Sequence, residues 1–317
     1  MSPGSNDPSS LLERETLAAK KPNLRLRAGL VQAIRHFFTE RDYLEVETPY
    51  LIPAPAPELH IDAIRAGEGF LHTSPELCMK RLVAAGYPKI FQICKCFRQG
   101  ERGSRHLPEF TLLEWYRAGT DYLGLMEESE EIVAFVLEEL GLPPRLEFQG
   151  RALDLQRPWD RLTVQEAFER YASTSLERAM ESGRLDEILA FEIEPSLGFP
   201  KPVFLYHYPS ALAALARLSQ GAPGYAERFE LYVAGVELAN AFSELTDPVE
   251  QKARFEKELA KRDEQGKTVY PMPEKFLRTL PFMPKSAGIA LGVDRLVMLL
   301  SNQKEIDPVV SFTPEEL

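Results

Sequence analysis

Residues Phe97 to Tyr116 read FRQGERGSRHLPEFTLLEWY. Arg98 follows a run of β-branched and aromatic residues, Lys89 to Phe97; a polar loop then carries Glu101, Arg102, Arg105 and His106; a second such run opens at Glu109-Phe110 and continues to Tyr116. Both runs predict strands. Alternation in the first puts Ile90, Gln92, Cys94 and Cys96 on one face and Phe91, Ile93, Lys95 and Phe97 on the other. A hairpin of this kind gathers guanidinium groups at one place. Arginine forks bind phosphate oxygens bidentately and the ring of Phe110 offers a flat apolar face, so the loop suits a triphosphate beside a stacked purine.

Upstream, Val46-Glu-Thr-Pro49 and Phe70-Leu-His-Thr73 predict two more short strands, and Leu26, Leu30, Ile34 and Phe37 give the apolar stripe of a helix ending near Asp42. Ser10-Leu-Leu-Glu13 matches a capping box for a short helix that ends near Pro22. The residues before it are too poor in apolar side chains to order themselves. Residues 1–22 are therefore expected to be a mobile leader and short helix, and 23–317 a single domain. Downstream, a helix from Leu123 to Leu140 ends at Gly141. Residues from about 157 to 198 hold a second capping box, Thr163-Val-Gln-Glu166, among short helical patterns, and read as a peripheral insertion. Strands resume at Val203 to Tyr208 and across Arg228 to Leu245. Asp247-Pro248 then caps a charged helix reaching about Gly266, and Gly288 to Gly292 forms a strand that turns at once into the helix Val293 to Leu300. No glycine-rich turn followed by a crossover helix of about a dozen residues separates the strands, so the pattern predicts an α+β fold, an antiparallel sheet flanked by helices.

Asp and Glu total 48 against 37 Lys and Arg, a formal net charge of −11. That is not the basic footprint of a protein lying along phosphate backbones. The longest charge-free stretch, Pro202 to Ala216, is too short and too polar for a membrane span of about 20 apolar residues. The N-terminus lacks a basic-then-apolar signal pattern and three cysteines cannot all pair, so a cytoplasmic protein without a disulfide framework is expected. Cys94-Lys-Cys96, with Cys78 upstream, lacks the two-residue spacing and the second ligand pair of a structural zinc site; buried strand cysteines are expected and no zinc is assigned. The phosphate-loop, nucleophile-elbow and dinucleotide glycine patterns are all missing.

The spacing FRxxExxxRHxPEFTxLExY resembles motif 2 of the class II aminoacyl-tRNA synthetases. GIALGVDRLVMLL, Gly288 to Leu300, resembles their motif 3, with Arg295 at the position of the arginine that holds the ATP γ-phosphate. The helix Leu24 to Phe38 followed by YLEVETPYL, Tyr43 to Leu51, resembles motif 1, the dimer-forming element. Leu71-His-Thr-Ser-Pro-Glu-Leu-Cys-Met-Lys-Arg-Leu82 and GVELANAFSELTD, Gly235 to Asp247, resemble the lysyl branch. The resemblance implies that Ser74, Glu76, Glu114, Tyr116, Asn240, Phe242 and Glu244 bind the amino acid, with carboxylates answering its two ammonium groups. It also implies that Arg98 neutralises the α-phosphate, that Arg105, His106 and Arg295 hold the β and γ phosphates, that Phe110 stacks on adenine and that Glu237 helps ligate Mg²⁺.

Three departures stand out. The family writes Arg-Asn-Glu at the start of motif 2, whereas this chain has Arg98-Gln-Gly-Glu101, which makes Glu101 the candidate for the displaced carboxylate. Ala241 and Ala290 stand where the lysyl branch has glycine, each adding a methyl beside the expected site. The methyl of Ala290 is expected to fill the space of an α-amine. Lysyl-tRNA synthetases carry an anticodon-reading OB-fold before motif 1, and here about 22 residues precede the motif 1 helix. Such a core is similar to the elongation factor P lysyltransferase family, which activates (R)-β-lysine and joins it to one lysine ε-amino group of elongation factor P. ATP and Mg²⁺, lysine or (R)-β-lysine, elongation factor P, a homodimer and no anticodon-type tRNA binding follow as expectations. A minimal lysyl-tRNA synthetase-like ligase is the alternative. An asparagine-forming ligase on the same core would want Arg or Lys where Glu76 and Glu244 stand, and a non-catalytic paralogue has no reason to keep Arg98, His106, Glu237 and Arg295 together.

Overall fold

The computed structural model describes residues 8–317, with side chains from Glu13 onward. The expected mobile leader lies, as far as Asp7, outside the described residues. Helix α1 (Pro8–Ala19) starts before Ser10, so the capping box expected at Ser10 falls inside the helix instead of at its start. Helix α2 (Lys21–Thr39) follows across Lys20, and Pro22 sits in its first turn. A proline there gives up an N–H that has no helical partner anyway, so it opens α2 instead of closing α1. The buried side of α2 is Leu30, Ala33, Ile34, Phe37 and Phe38.

The main sheet has eight strands: β1 (Leu44–Glu45), β2 (Lys89–Phe97), β3 (Glu109–Ala118), β4 (Asp160–Thr163), β5 (Val203–Pro209), β6 (Tyr225–Val233), β7 (Val236–Ser243) and β8 (Ser286–Gly292), in the order β1-β2-β3-β8-β7-β6-β5-β4. The six central strands pair antiparallel, while β1 on β2 and β4 on β5 are parallel. The α+β class is as expected; the sheet is mixed at both edges. Each parallel pair is joined by a long excursion, one holding helix α3 (Glu76–Ala84) and the other the 157–198 segment, which supplies the room a parallel crossover needs. That segment is therefore only partly peripheral. It contributes edge strand β4, then builds its own apolar cluster on helix α5 (Val164–Tyr171). The capping box at its start is formed, with Thr163 Oγ1 accepting from the Glu166 N–H and Glu166 accepting in return.

One face of the sheet is closed by α2 and by helix α4 (Tyr122–Glu139), whose N-cap is Asp121. Phe91 and Trp115 point into this side, with Phe38 stacked on Phe91 at 4.7 Å. Fully burying each such ring contributes about 1.5–3 kcal/mol of transfer free energy. Because neighbouring residues alternate, Gln92, Cys94, Leu112, Glu114 and Tyr116 face the other way. Ala241 falls on the packed side: it is fully buried in the core and adds no methyl to the site, in contrast to the expectation from its sequence neighbours.

Candidate active site

The register of the sheet assembles the site. Gln92, Glu114, Ala290, Asn240 and Glu230 are successive cross-strand partners from β2 to β6, and so form one row of side chains. The adjacent row runs Ile90, Tyr116, Gly288, Phe242 and Arg228. A Cβ at Gly288 would stand 2.2 Å from the Tyr116 ring and 2.5 Å from the Glu244 carboxylate. Only glycine lets β8 pass there.

Over these rows lies a cavity of about 360 Å³, of the size that takes a small ligand. Its lining includes Ser74, Glu76, Arg98, Glu101, Arg105, His106, Phe110, Glu114, Tyr116, Glu237, Asn240, Phe242, Ala290 and Arg295. Every site residue expected from sequence is therefore brought to one cavity except Glu244. That side chain is fully buried behind the wall, with Lys80 Nζ at 2.6 Å as its ion-pair partner, although among the described residues neither carboxylate oxygen accepts a well-aligned hydrogen bond. Lys80 also donates to Glu76. Burial pulls the Lys80 amine down, but Glu244 and Glu76 outweigh it and hold it above its ordinary value. Glu244 thus stands behind Lys80, which joins it to Glu76 at the cavity wall.

Glu114 accepts from Ser74 Oγ at 2.5 Å and from Tyr116 Oη at 2.9 Å. Burial, and then the charge of Glu76, pushes its carboxyl up to about 8. Sequence reading missed Glu58, which lines the same end and is pushed up to about 7 by burial and by Glu76. It lies in the irregular stretch PAPAPELH, which carries no periodicity to flag it. Arg228 was also missed. It donates to Asn240 Oδ1 at 3.2 Å and to Glu230 at 2.5 Å, and so orients the amide.

The opposite end is cationic. Arg98 lies with its guanidinium carbon 5.0 Å from the Phe110 ring centroid and Nη1 3.7 Å from Glu101; its buried Nε has no hydrogen-bond partner among the described residues. Gly100, at φ +77°, takes the left-handed turn that lets Glu101 face back to Arg98. Arg105 donates to Gly235 O at 2.7 Å. Arg295, in the first turn of helix α6 (Val293–Leu300), reaches the Glu237 backbone oxygen at 2.7 Å, its carboxylate at 3.2 Å and His106 Nε2 at 2.7 Å. Burial and the Arg295 charge lower His106, which accepts from Arg295 as a neutral ring. Arg102 differs: it turns outward to Asp307 at 2.8 Å and Glu315 at 2.9 Å and anchors the loop. The motifs themselves meet at Asp294, which accepts from Arg27 of α2 and from the Thr111 N–H of β3, while Arg27 also donates to Thr111 Oγ1 at 2.7 Å.

The residues fit ATP and a divalent cation. An unpartnered buried guanidinium nitrogen and an apolar ring face the same space, and the half-exposed Glu237 acts with Glu230 on Glu194, which burial and those two charges raise to about 7. Glu237 lines the cavity beside Arg295, and a carboxylate oxygen is the kind of ligand that a hard divalent cation takes. An antiparallel core with an arginine-bearing hairpin, and a strand-to-helix turn delivering a second arginine, defines a class II synthetase domain; the sequence model of the tRNA synthetases class II (D, K and N) matches residues 12–316. Among similar proteins, the elongation factor P–(R)-β-lysine ligase of Pectobacterium carotovorum subsp. carotovorum (strain PC1) is 40% identical over 319 residues, covering 94% of this chain and 97% of that protein. The ligases of the same name from Salmonella gallinarum (strain 287/91) and Vibrio cholerae serotype O1 are 39% and 40% identical, covering 93% and 91% of this chain and 96% and 94% of those proteins. The chain belongs to this ligase family of the class II synthetases.

Proposed function

We propose that the protein is an AMP-forming, ATP-dependent ligase that activates a lysine-type amino acid, (R)-β-lysine, and transfers it to the ε-amino group of a lysine of elongation factor P. The observation that carries this reading is a single cavity with carboxylates fixed at one end and arginines at the other. A carboxylate oxygen of the amino acid attacks the ATP α-phosphorus, pyrophosphate leaves, and an aminoacyl-adenylate forms. The lysine amine of the protein substrate then attacks the adenylate carbonyl, forms the amide, expels AMP and loses a proton. Neither step needs a covalent enzyme intermediate, so positioning and charge neutralisation supply the catalysis.

Arg98 neutralises the α-phosphate during attack, Arg105, His106 and Arg295 hold the β and γ phosphates, and Phe110 stacks on adenine, with Glu101 as the motif 2 carboxylate. Glu237 would hold Mg²⁺, which when bound supplies further neutralisation of phosphate charge. Ser74, Glu76, Glu114, Tyr116, Asn240 and Phe242 bind the amino acid, Glu244 supports Glu76 through Lys80, and the methyl of Ala290, between Glu114 and Asn240, occupies the place of an α-amine. The reading takes residues 23–317 as the catalytic domain and includes a homodimer built on the motif 1 segment, where Leu44, Tyr50 and Leu51 are exposed apolar side chains. It also includes a cytoplasmic setting and no anticodon-type tRNA binding. No helix of the described residues is long and apolar enough to cross a membrane.

Pyrophosphate exchange with ATP, measured with (R)-β-lysine and with α-lysine, and amide formation on purified elongation factor P test the reading. Exchange with (R)-β-lysine and modification of elongation factor P are expected. Efficient charging of lysine tRNA at physiological salt, without modification of elongation factor P, would favour a minimal tRNA ligase instead; the net charge of −11 leads us to expect weak, salt-sensitive tRNA binding.

A further inference from the structure

Three side chains of metal-ligating type meet outside the cavity lining and take no part in the proposed reaction. Cys94 and Cys96 project from one face of β2, and His72 follows the short strand Gly69–Leu71 of a separate sheet. One ligand atom from each lies within 4.8 Å of the others, and all three residues are buried. The two Sγ atoms are 3.9 Å apart, and His72 Nε2 is 3.9 Å from Cys96 Sγ. Two thiolates on a tetrahedral zinc ion stand about 3.8 Å apart, and a thiolate and an imidazole nitrogen about 3.6 Å. The cluster already has nearly the dimensions of a two-sulfur, one-nitrogen coordination set.

The polar groups around it point the same way. His72 Nδ1 and Gln92 Oε1 are buried with no hydrogen-bond partner among the described residues. Gln92 precedes Cys94 by two residues on the same face of β2, and both His72 and Gln92 reach the Cys94 thiol. His72 Nε2, the ring nitrogen beside Cys96, also lies 2.6 Å from the Lys95 carbonyl oxygen, and it exchanges that contact for the ion on binding.

We propose that His72, Cys94 and Cys96 bind one thiophilic d¹⁰ cation, Zn²⁺ or Cu⁺. Two thiol protons leave for solvent as two metal–sulfur bonds form, and no atom changes oxidation state. Sulfur and imidazole donors select such ions over Mg²⁺, which takes oxygen ligands. The ion ties residues 72–74, and with them the Ser74 hydroxyl that donates to Glu114, to strand β2. Sequence spacing hid the site because its third ligand arrives from another sheet.

Full-length protein is incubated with Zn²⁺ or Cu⁺ in separate arms, desalted and assayed for bound metal by mass spectrometry, with Co²⁺ as an optical probe. About one ion per chain is expected in at least one arm, together with intense tetrahedral cobalt bands and thiolate-to-cobalt charge transfer that excess Zn²⁺ abolishes. In competition with a chromophoric chelator, Cys96→Ser should weaken binding more than about 100-fold, beyond the usual cost of losing an outer-shell partner. Cys78→Ser, on helix α3, should leave it unchanged. Should Cys96→Ser fail to fold, the wild-type stoichiometry and cobalt spectrum decide alone. Failure to retain either ion, a cobalt spectrum without thiolate charge transfer, or unchanged affinity in folded Cys96→Ser would overturn the proposal. None of these readouts depends on catalysis.

Discussion

The two ends of the cavity handle charge in opposite ways. At the amino-acid end, Glu76 and Glu244 close on Lys80, and Glu114 holds Ser74 and Tyr116, so these three carboxylates have internal partners, while Glu58 beside them is pushed up to about 7 by burial. At the nucleotide end, among the described residues, the Nε of Arg98 has no hydrogen-bond partner, its nearest carboxylate is 3.7 Å away, and Arg105 rests on one backbone oxygen. Taking a charge fully out of water is repaid only by a close partner, whereas a part-exposed guanidinium keeps some water until a phosphate arrives. Charges of one sign can therefore gather at the rim, but the floor must be neutralised from within.

Breaking the internal neutralisation should have the largest effect. Lys80→Met leaves Glu76 and Glu244 without their cation, and should lower stability by about 3–5 kcal/mol in denaturant titrations. Wild-type stability would mean that the two carboxyls are neutral without Lys80. At the other end, Arg98→Ala should leave the denaturation midpoint near wild type while cutting pyrophosphate exchange by about 10²–10³, or 3–4 kcal/mol. Near wild-type exchange in that variant would remove Arg98 from the mechanism.

Smaller changes sharpen the contrast. Ala290→Gly should shift the kcat/KM ratio of (R)-β-lysine over α-lysine towards α-lysine by about 1–3 kcal/mol; an unchanged ratio would make Ala290 a packing residue. Glu114, raised to about 8 by burial, is protonated in the free protein at neutral pH. Meeting an ammonium group requires loss of that proton, so amino-acid kcat/KM should rise by up to about tenfold per pH unit and level off above about pH 8. Its effect on stability has the opposite sign. A carboxyl raised from 4.5 to about 8 in the fold contributes its full stabilisation below its unfolded value and loses it as pH rises through the folded one. Glu114→Gln should flatten both profiles. Arg102→Ala should do least, with melting temperature and exchange both close to wild type, because its ion pairs are on the surface and face away from the cavity.

The sequence by itself determined the local elements and the chemical inventory. Strand bounds in the hairpin, the caps Thr163 and Asp247, and the turn from β8 into α6 were legible because alternation, capping and glycine chemistry act over a few residues. The same stretches named Arg98, Glu114 and Arg295. Only the tertiary structure decided which groups share a space. Cross-strand register set Glu114, Ala290 and Asn240 in one row and sent Ala241 to the core; a long crossover made β1 parallel to β2; and the fold put Lys80 between Glu76 and Glu244, placed Glu58 at the cavity wall and laid His72 against Cys96. Those pairings join residues far apart in the chain, and no spacing along it records them, because the free energy that selects them arises only when distant faces close and exclude water.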